Sequence, residues 1–186
     1  MATVYDSLRD ALGNSNAKPS KQKSNGDNDY DDKDAGSNGK LVDGLTEISA
    51  SITALCLQVG GFSKNLMTPA FYENHSFLNL IQQMLIDQKY AVDEAIRTLY
   101  GWALVDIKDI AEKSKIESPD DDMRDPAGIV KHLIPQFKIL VSLSQTNWGM
   151  AIKAKNPSIV GLNIALSGKL THFLWELEAI ARKARA

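Results

Sequence analysis

Much that would point to a specific chemistry is missing from this chain. It holds one cysteine, Cys56, which rules out an internal disulfide and any cysteine-based zinc cluster. Cys56 falls on an apolar helical spacing and reads as a small core residue rather than a reactive thiol, and a reducing, intracellular setting is the expectation. No apolar run approaches the ~18 residues of a membrane-spanning helix. The first residues lack the basic region and apolar stretch of a secretory signal. No segment alternates apolar and polar residues for long, so no strand is expected. His75, His132 and His172 are far apart in sequence, and none has a partner at metal-ligand spacing. Val59-Gly60-Gly61-Phe62-Ser63-Lys64 is too brief for a phosphate-binding loop, and no serine sits in a nucleophile elbow. The aspartates between Ser118 and Asp125 lack the spacing, central glycine and distal glutamate of a calcium loop. Asp93-Glu94 and Glu176/Glu178 read as helix-surface charges. From these absences the sequence predicts no catalytic residues, no metal, no cofactor, no small-molecule substrate and no membrane partner, and so a protein that is not an enzyme.

What is present is helical patterning. The chain has 186 residues and a hydrophobic fraction of 44%, which suits one domain plus a tail. The best-patterned stretch is the last. Ile159, Leu162, Leu166, Leu170, Phe173, Leu177, Ile180 and Ala184 recur every three or four residues, one stripe of a 3.6-residue helix. Asn156 suits its N-cap and Pro157 its first turn. A second face carries Gly161, Ala165, Gly168 and His172. Interior glycines each cost about 1 kcal/mol against alanine, so close packing is expected there, either in the centre of a bundle or as a self-association face. Leu41, Leu45, Ile48, Ile52, Leu55 and Val59 form a seam that Gly60-Gly61 should end. Between the two, short helices are expected from Thr68-Pro69 and from Ser76, a longer one from Val92 to about Lys115 mildly interrupted at Gly101-Trp102, one from Asp125-Pro126 kinked or split by Pro135, and a short one from Thr146-Asn147. The expectation is an all-α, compact bundle of about six or seven helices.

Residues 13–40 are rich in Gly, Ser, Asn, Asp and Lys and cannot bury enough apolar surface to offset chain entropy, so a disordered linker is expected. Ahead of it, 1–12 place Val4, Tyr5, Leu8 and Leu12 on one face of a short amphipathic segment, suited to docking on a partner. The helical domain is expected over 41–186.

Charge is polarised. From Leu41 to Asp125 there are 7 Lys+Arg against 14 Asp+Glu, and from Pro126 to Ala186 there are 8 against 2. Opposite halves favour association between copies, and a basic half can meet a polyanion. Lys131, Lys138, Trp148, Lys153, Lys155, Lys169, Arg182, Lys183 and Arg185 are the candidate contacts, a few cations with an aromatic platform of the kind that binds single-stranded RNA. Helical core, flexible arm and charge polarity together predict a non-enzymatic self-assembling protein whose architecture resembles helical viral coat and nucleocapsid proteins. The alternative is a small adaptor, or a polymerase or assembly cofactor, recruiting a protein partner through its tail. Homo-oligomerisation and a cytoplasmic or virion-associated location go with the first reading.

Overall fold

The structure is a computed structural model that describes residues 32–120 and 123–183. Residues 1–12 and most of 13–40, and with them Val4, Tyr5, Leu8 and Leu12, lie outside the described residues, as do Ala184 and Arg185. Five helices occur among the described residues: α1 (Asp32–Asn65), α2 (Phe71–Thr98), α3 (Ile107–Lys113), α4 (Pro126–Lys153) and α5 (Pro157–Lys183). The all-α expectation holds, but the count of six or seven does not.

The difference arises where local breakers are outvoted by packing. Gly60-Gly61 does not end α1, because Phe62 and Leu66 beyond it are buried and carry the helix on to Asn65. Gly60 serves the packing instead: a Cβ there would lie 2.4 Å from the side-chain nitrogen of Gln82 on α2. Ser76 and Val92 are interior to one continuous α2, whose buried Leu78, Ile81, Leu85, Val92 and Ile96 run through both expected breaks. Pro135 leaves α4 continuous; its ring is on an exposed position, where water can serve the carbonyl it frees. Thr146-Asn147 is likewise inside α4, with the Thr146 hydroxyl donating to the Ser142 carbonyl at 2.9 Å. The boundary expected near Lys40 falls within α1.

Other local readings hold. Asp125 accepts from the Gly128 amide at 2.7 Å, with Pro126 in the first turn of α4. Asn156 accepts from the Ile159 amide at 3.2 Å, opening α5. The turn before it is tight: Lys155 adopts φ 53°, its amide reaches Ile152 O, and the Asn156 amide reaches Ala151 O at 3.0 Å. That pair of bonds closes a helix with a left-handed residue, a role glycine fills at less strain. Tyr100, at φ 63°, closes α2 in the same way, and Gly101 then passes so close to α1 that a Cβ would meet Val42 at 2.7 Å.

The four long helices form a bundle. Ser49 meets Asp93 and Ser63 meets His75, so α1 and α2 run antiparallel. Ser144 meets Asn163 and Lys138 meets Glu178, so α4 and α5 do too. Leu41 meets Asn147 and Gln58 meets His132, which sets α4 antiparallel to α1 and therefore parallel to α2. The 99–125 connection must then travel the length of the bundle. It carries α3 along α1, where the Lys115 amide donates to Ser51 Oγ at 3.0 Å and the Gln58 amide donates to the Glu117 carbonyl at 2.8 Å. The turn after α1 is tied to the end of this crossover by Met67 N–H donating to Arg124 O at 3.1 Å.

The core follows the stripes. All six residues of the α1 seam have no exposed surface, and Ile159, Leu166, Leu170 and Leu177 of the α5 stripe are buried. Ile180 stays 41% exposed. Residues 38–65 of α1 are long and apolar enough to cross a membrane by length and composition, contrary to the sequence reading, but the seam is spent inside the bundle. Replacing Lys155 by glycine should raise stability by about 0.5–1 kcal/mol through relief of the left-handed strain, measured by urea unfolding; an unchanged midpoint would show that the turn carries no such strain.

Candidate functional site

Two polar regions lie inside the bundle. The first joins α1, α4 and α5. Asn163 donates from Nδ2 to Asn147 Oδ1 at 2.9 Å and to the Ile159 carbonyl at 2.8 Å. Asn147 donates to the Leu41 carbonyl at 3.2 Å. Ser144 Oγ reaches the Asn163 carbonyl at 3.1 Å and takes a bond from Ser167 Oγ at 2.9 Å. Ser144, Asn147 and Asn163 are at most 1% exposed, so each bond stands in for water none of them can reach.

The second joins α1 and α2. His75 Nδ1 lies 2.8 Å from the Ser63 carbonyl, which can only accept, so Nδ1 carries the proton. Its Nε2 is then the acceptor for the Asn79 amide at 2.9 Å, and Phe71 stacks on the ring at 5.1 Å. Further along, Asp93 accepts from Ser49 Oγ at 2.6 Å and pairs with the Lys89 ammonium. Cys56 is half-buried beside Gln82, and burial pushes its thiol up, with the Gln82 hydrogen bond and the Lys89 charge pulling the other way. That suits an inert thiol rather than a nucleophile.

His132 donates from Nε2 to Gln58 Oε1 at 2.9 Å and meets the Phe62 ring edge-on. Burial holds its imidazole below the usual range, while Glu117 and Asp120 act in the opposite sense. His172 is exposed on α5, 3.5 Å from Glu176 and tilted against Trp175.

The candidate cations do not form one groove. Lys131, Lys138 and Arg182 lie where the first half of α4 meets the end of α5, around two adjoining clefts of about 500 and 290 Å³, and Lys138 is paired with Glu178 at 3.0 Å. Trp148, 41% exposed, belongs to the far half of α4 with Lys153, and Lys155 lies in the turn that follows. At 1.5 Å per residue Lys153 is roughly 33 Å from Lys131 along the helix. Lys169 is exposed on α5, and Lys183 is its last residue. The face of Gly161, Ala165, Gly168 and His172 is exposed, and a Cβ at either glycine would meet nothing within 4 Å. Its small residues therefore do not serve packing inside this chain.

The sequence reading missed α1–α2 side chains that the fold brings together, Ser63 with His75 and Ser49 with Asp93. Their separations leave no local pattern; only the amide at i+4 from His75 is visible in sequence.

Four long helices with one full-length crossover define the ferritin-like class of bundle. Comparison with solved structures agrees. The chain is similar to a Dps protein from Vibrio cholerae O1, described as a member of a broad superfamily of ferritin-like diiron-carboxylate proteins, at TM-score 0.74 and 19% identity over 77% of this chain and 90% of that one. It is similar to Dps from Thermosynechococcus elongatus at TM-score 0.75 and 13% identity, covering 80% and 94%. A Dps protein from Bacillus brevis matches at TM-score 0.74 and 17% identity, covering 78% and 97%. No family model and no curated protein matches the chain. At these identities the likeness is one of fold.

That likeness corrects three expectations. The neighbours are Dps and ferritin-like proteins, so the capsid or nucleoprotein reading, with its single-stranded RNA and virion location, is withdrawn, and so is the tail-recruiting adaptor. The expectation that the chain is not an enzyme rested on absent local motifs. The fold is similar to that of a diiron-carboxylate protein, a class whose ligand sets are gathered from several facing helices rather than from one local motif, so that ground is removed.

The residues present do not fit a diiron centre of the pattern this bundle class uses, a Glu from each of two helices and Glu-x-x-His from each of the others. The sequence has no Glu-x-x-His, and α4 has no acidic residue. Among the described residues no three His, Cys, Asp or Glu side chains come together as a metal group.

Two outcomes are expected here. Asn163→Ala leaves Asn147 Oδ1 without its buried donor, which should cost about 1–3 kcal/mol in urea unfolding; an unchanged midpoint would mean the network adds little. For His132 the fold favours the neutral ring, so the unfolded chain takes up the proton more readily. Stability is held above the ordinary histidine pKa of about 6.5 and falls as pH drops below it. Between about pH 8 and about pH 5 His132→Gln should lose less stability than the parent; equal losses would remove His132 as a source of the pH dependence.

Proposed function

We propose that this chain is the subunit of a homo-oligomeric assembly of the Dps kind, held together through the outward side of α1, α2 and the crossover. The observation that carries this is a run of apolar side chains in water. Tyr100, Trp102, Val105 and Ile107 are each at least 81% exposed within one short segment, and α3, which Ile107 opens, has no buried residue. Leu57 on α1 is 78% exposed and Leu80 on α2 is 62% exposed. Ten of the fifteen large apolar residues exposed in the described chain fall between Leu57 and Ile107. Contiguous exposed apolar surface of this sort marks association faces. The segment is held in place rather than loose: Arg97 sits over the Trp102 ring at 4.5 Å and donates to the Gly101 carbonyl.

The opposite charges of the two halves favour association between copies. The pairs Lys115–Glu47 and Lys89–Asp93 lie inside the acidic half, and Lys138–Glu178 inside the basic half. The exposed α5 face of Gly161, Ala165, Gly168 and His172 is a second surface on which another copy can approach closely. An intracellular location accords with this reading and with the lone half-buried thiol.

Size-exclusion chromatography with light scattering tests it. The parent chain should run as one discrete multimer of its 20.4 kDa subunit, and Trp102→Glu with Val105→Lys should give a smaller, still helical species. A parent chain that is monomeric at micromolar concentration would overturn the proposal.

A further inference from the structure

The polar contents of the bundle differ from those of a diiron protein, whatever the assembly state. A dinuclear iron centre in a four-helix bundle needs several carboxylates and two histidines with free ring nitrogens, pointing inward from facing helices. Carboxylates are missing from long stretches of the helices of this chain. No Asp or Glu occurs from Ile48 to Asn65 on α1, from Asn74 to Ile86 on α2, anywhere on α4, or from Ser158 to Trp175 on α5. The polar groups there are amides and hydroxyls: Ser63, Asn79 and Gln82 between α1 and α2, and Ser144, Asn147 and Asn163 between α4 and α5. A neutral amide is a poor substitute for a carboxylate at an iron ion, because it brings no charge to offset the cost of burying the cation.

The histidine nearest this region is also spent. His75 gives its Nδ1 proton to the Ser63 carbonyl and its Nε2 lone pair to the Asn79 amide, so neither nitrogen is left to ligate. Asp93 is the acidic group turned toward the helix contact, with its side chain 16% exposed. It already has a cation, the Lys89 ammonium, and the Ser49 hydroxyl as donor. Both of the needs that a metal would meet are met by the protein.

We propose that this chain is a ferritin-like bundle that holds no diiron centre on its bundle helices, its interior being closed by an amide-hydroxyl network and its inward carboxylate neutralised by Lys89. The test is an anaerobic titration of the full-length protein with Fe(II), and with Co(II) as a coloured probe, read by calorimetry and visible absorption. The expected result is no saturable uptake, or uptake that His75→Ala and Asp93→Asn leave unchanged, which places it away from these side chains. Saturable binding of about two ions per chain, with Co(II) absorption bands lost in either variant, would overturn the inference. Because the readout is binding to named side chains, it stands apart from the oligomeric state: a monomeric protein with no metal uptake would sink the assembly and leave this inference intact.

Discussion

The seam of α1 is the constraint on which the rest of the molecule depends. Its six large residues are removed from water completely, which one neighbouring helix cannot do. α2 covers one side through Ser49–Asp93 and Ser63–His75, α4 covers another through Leu41–Asn147 and Gln58–His132, and the crossover lies along a third through Ser51–Lys115. α5 then closes the bundle by burying its own stripe against α4. Burying a Leu or Ile side chain fully is worth about 1.5–3 kcal/mol, so the seam is a large share of what opposes chain entropy. The antiparallel placement of α4 on α1 forces the long crossover, and the crossover leaves Tyr100 to Ile107 outside the core.

Polar groups inside such a bundle carry information that apolar ones do not. Leucines tolerate a slip along the helix axis, whereas Asn163 can serve Asn147 and Ser144 together in only one register of α5 on α4. Asn147 adds α1 to the same lock through the Leu41 carbonyl. The network of Ser144, Asn147 and Asn163 is thus explained by register and satisfaction, while the buried Gln136 Nε2 on α4 has no partner.

The sequence made the two flanking stripes and their caps legible, since Leu41 to Val59 and Ile159 to Leu177 pack as their spacing says and Asp125-Pro126 and Asn156-Pro157 open helices. It misplaced the interior boundaries because Gly60, Pro135 and Ser76 are local signals, and burial of Phe62, Phe137 and Leu78 beside them outweighs the roughly 1–3 kcal/mol each disfavours a helix. The fold-level likeness was out of reach: it resides in helix order and crossing, which periodicity does not encode. The charged set from Lys131 to Arg185 looked like one site because it is contiguous in sequence, while two ends of a long helix separate its members. The exposed run at Trp102 was legible as residues but not as surface, because apolar side chains at that spacing are as suited to a core.

On the proposal made above, the bundle helices hold hydrogen-bonded amides and the half-buried Lys89–Asp93 pair and no diiron centre. Anomalous diffraction at the iron edge, on crystals grown or soaked anaerobically with Fe(II), tests it most directly. The account predicts no anomalous peak between the helices near His75, Asn79 and Asp93. A pair of peaks about 3.5–4 Å apart there, within ligand distance of side chains from facing helices, would contradict it.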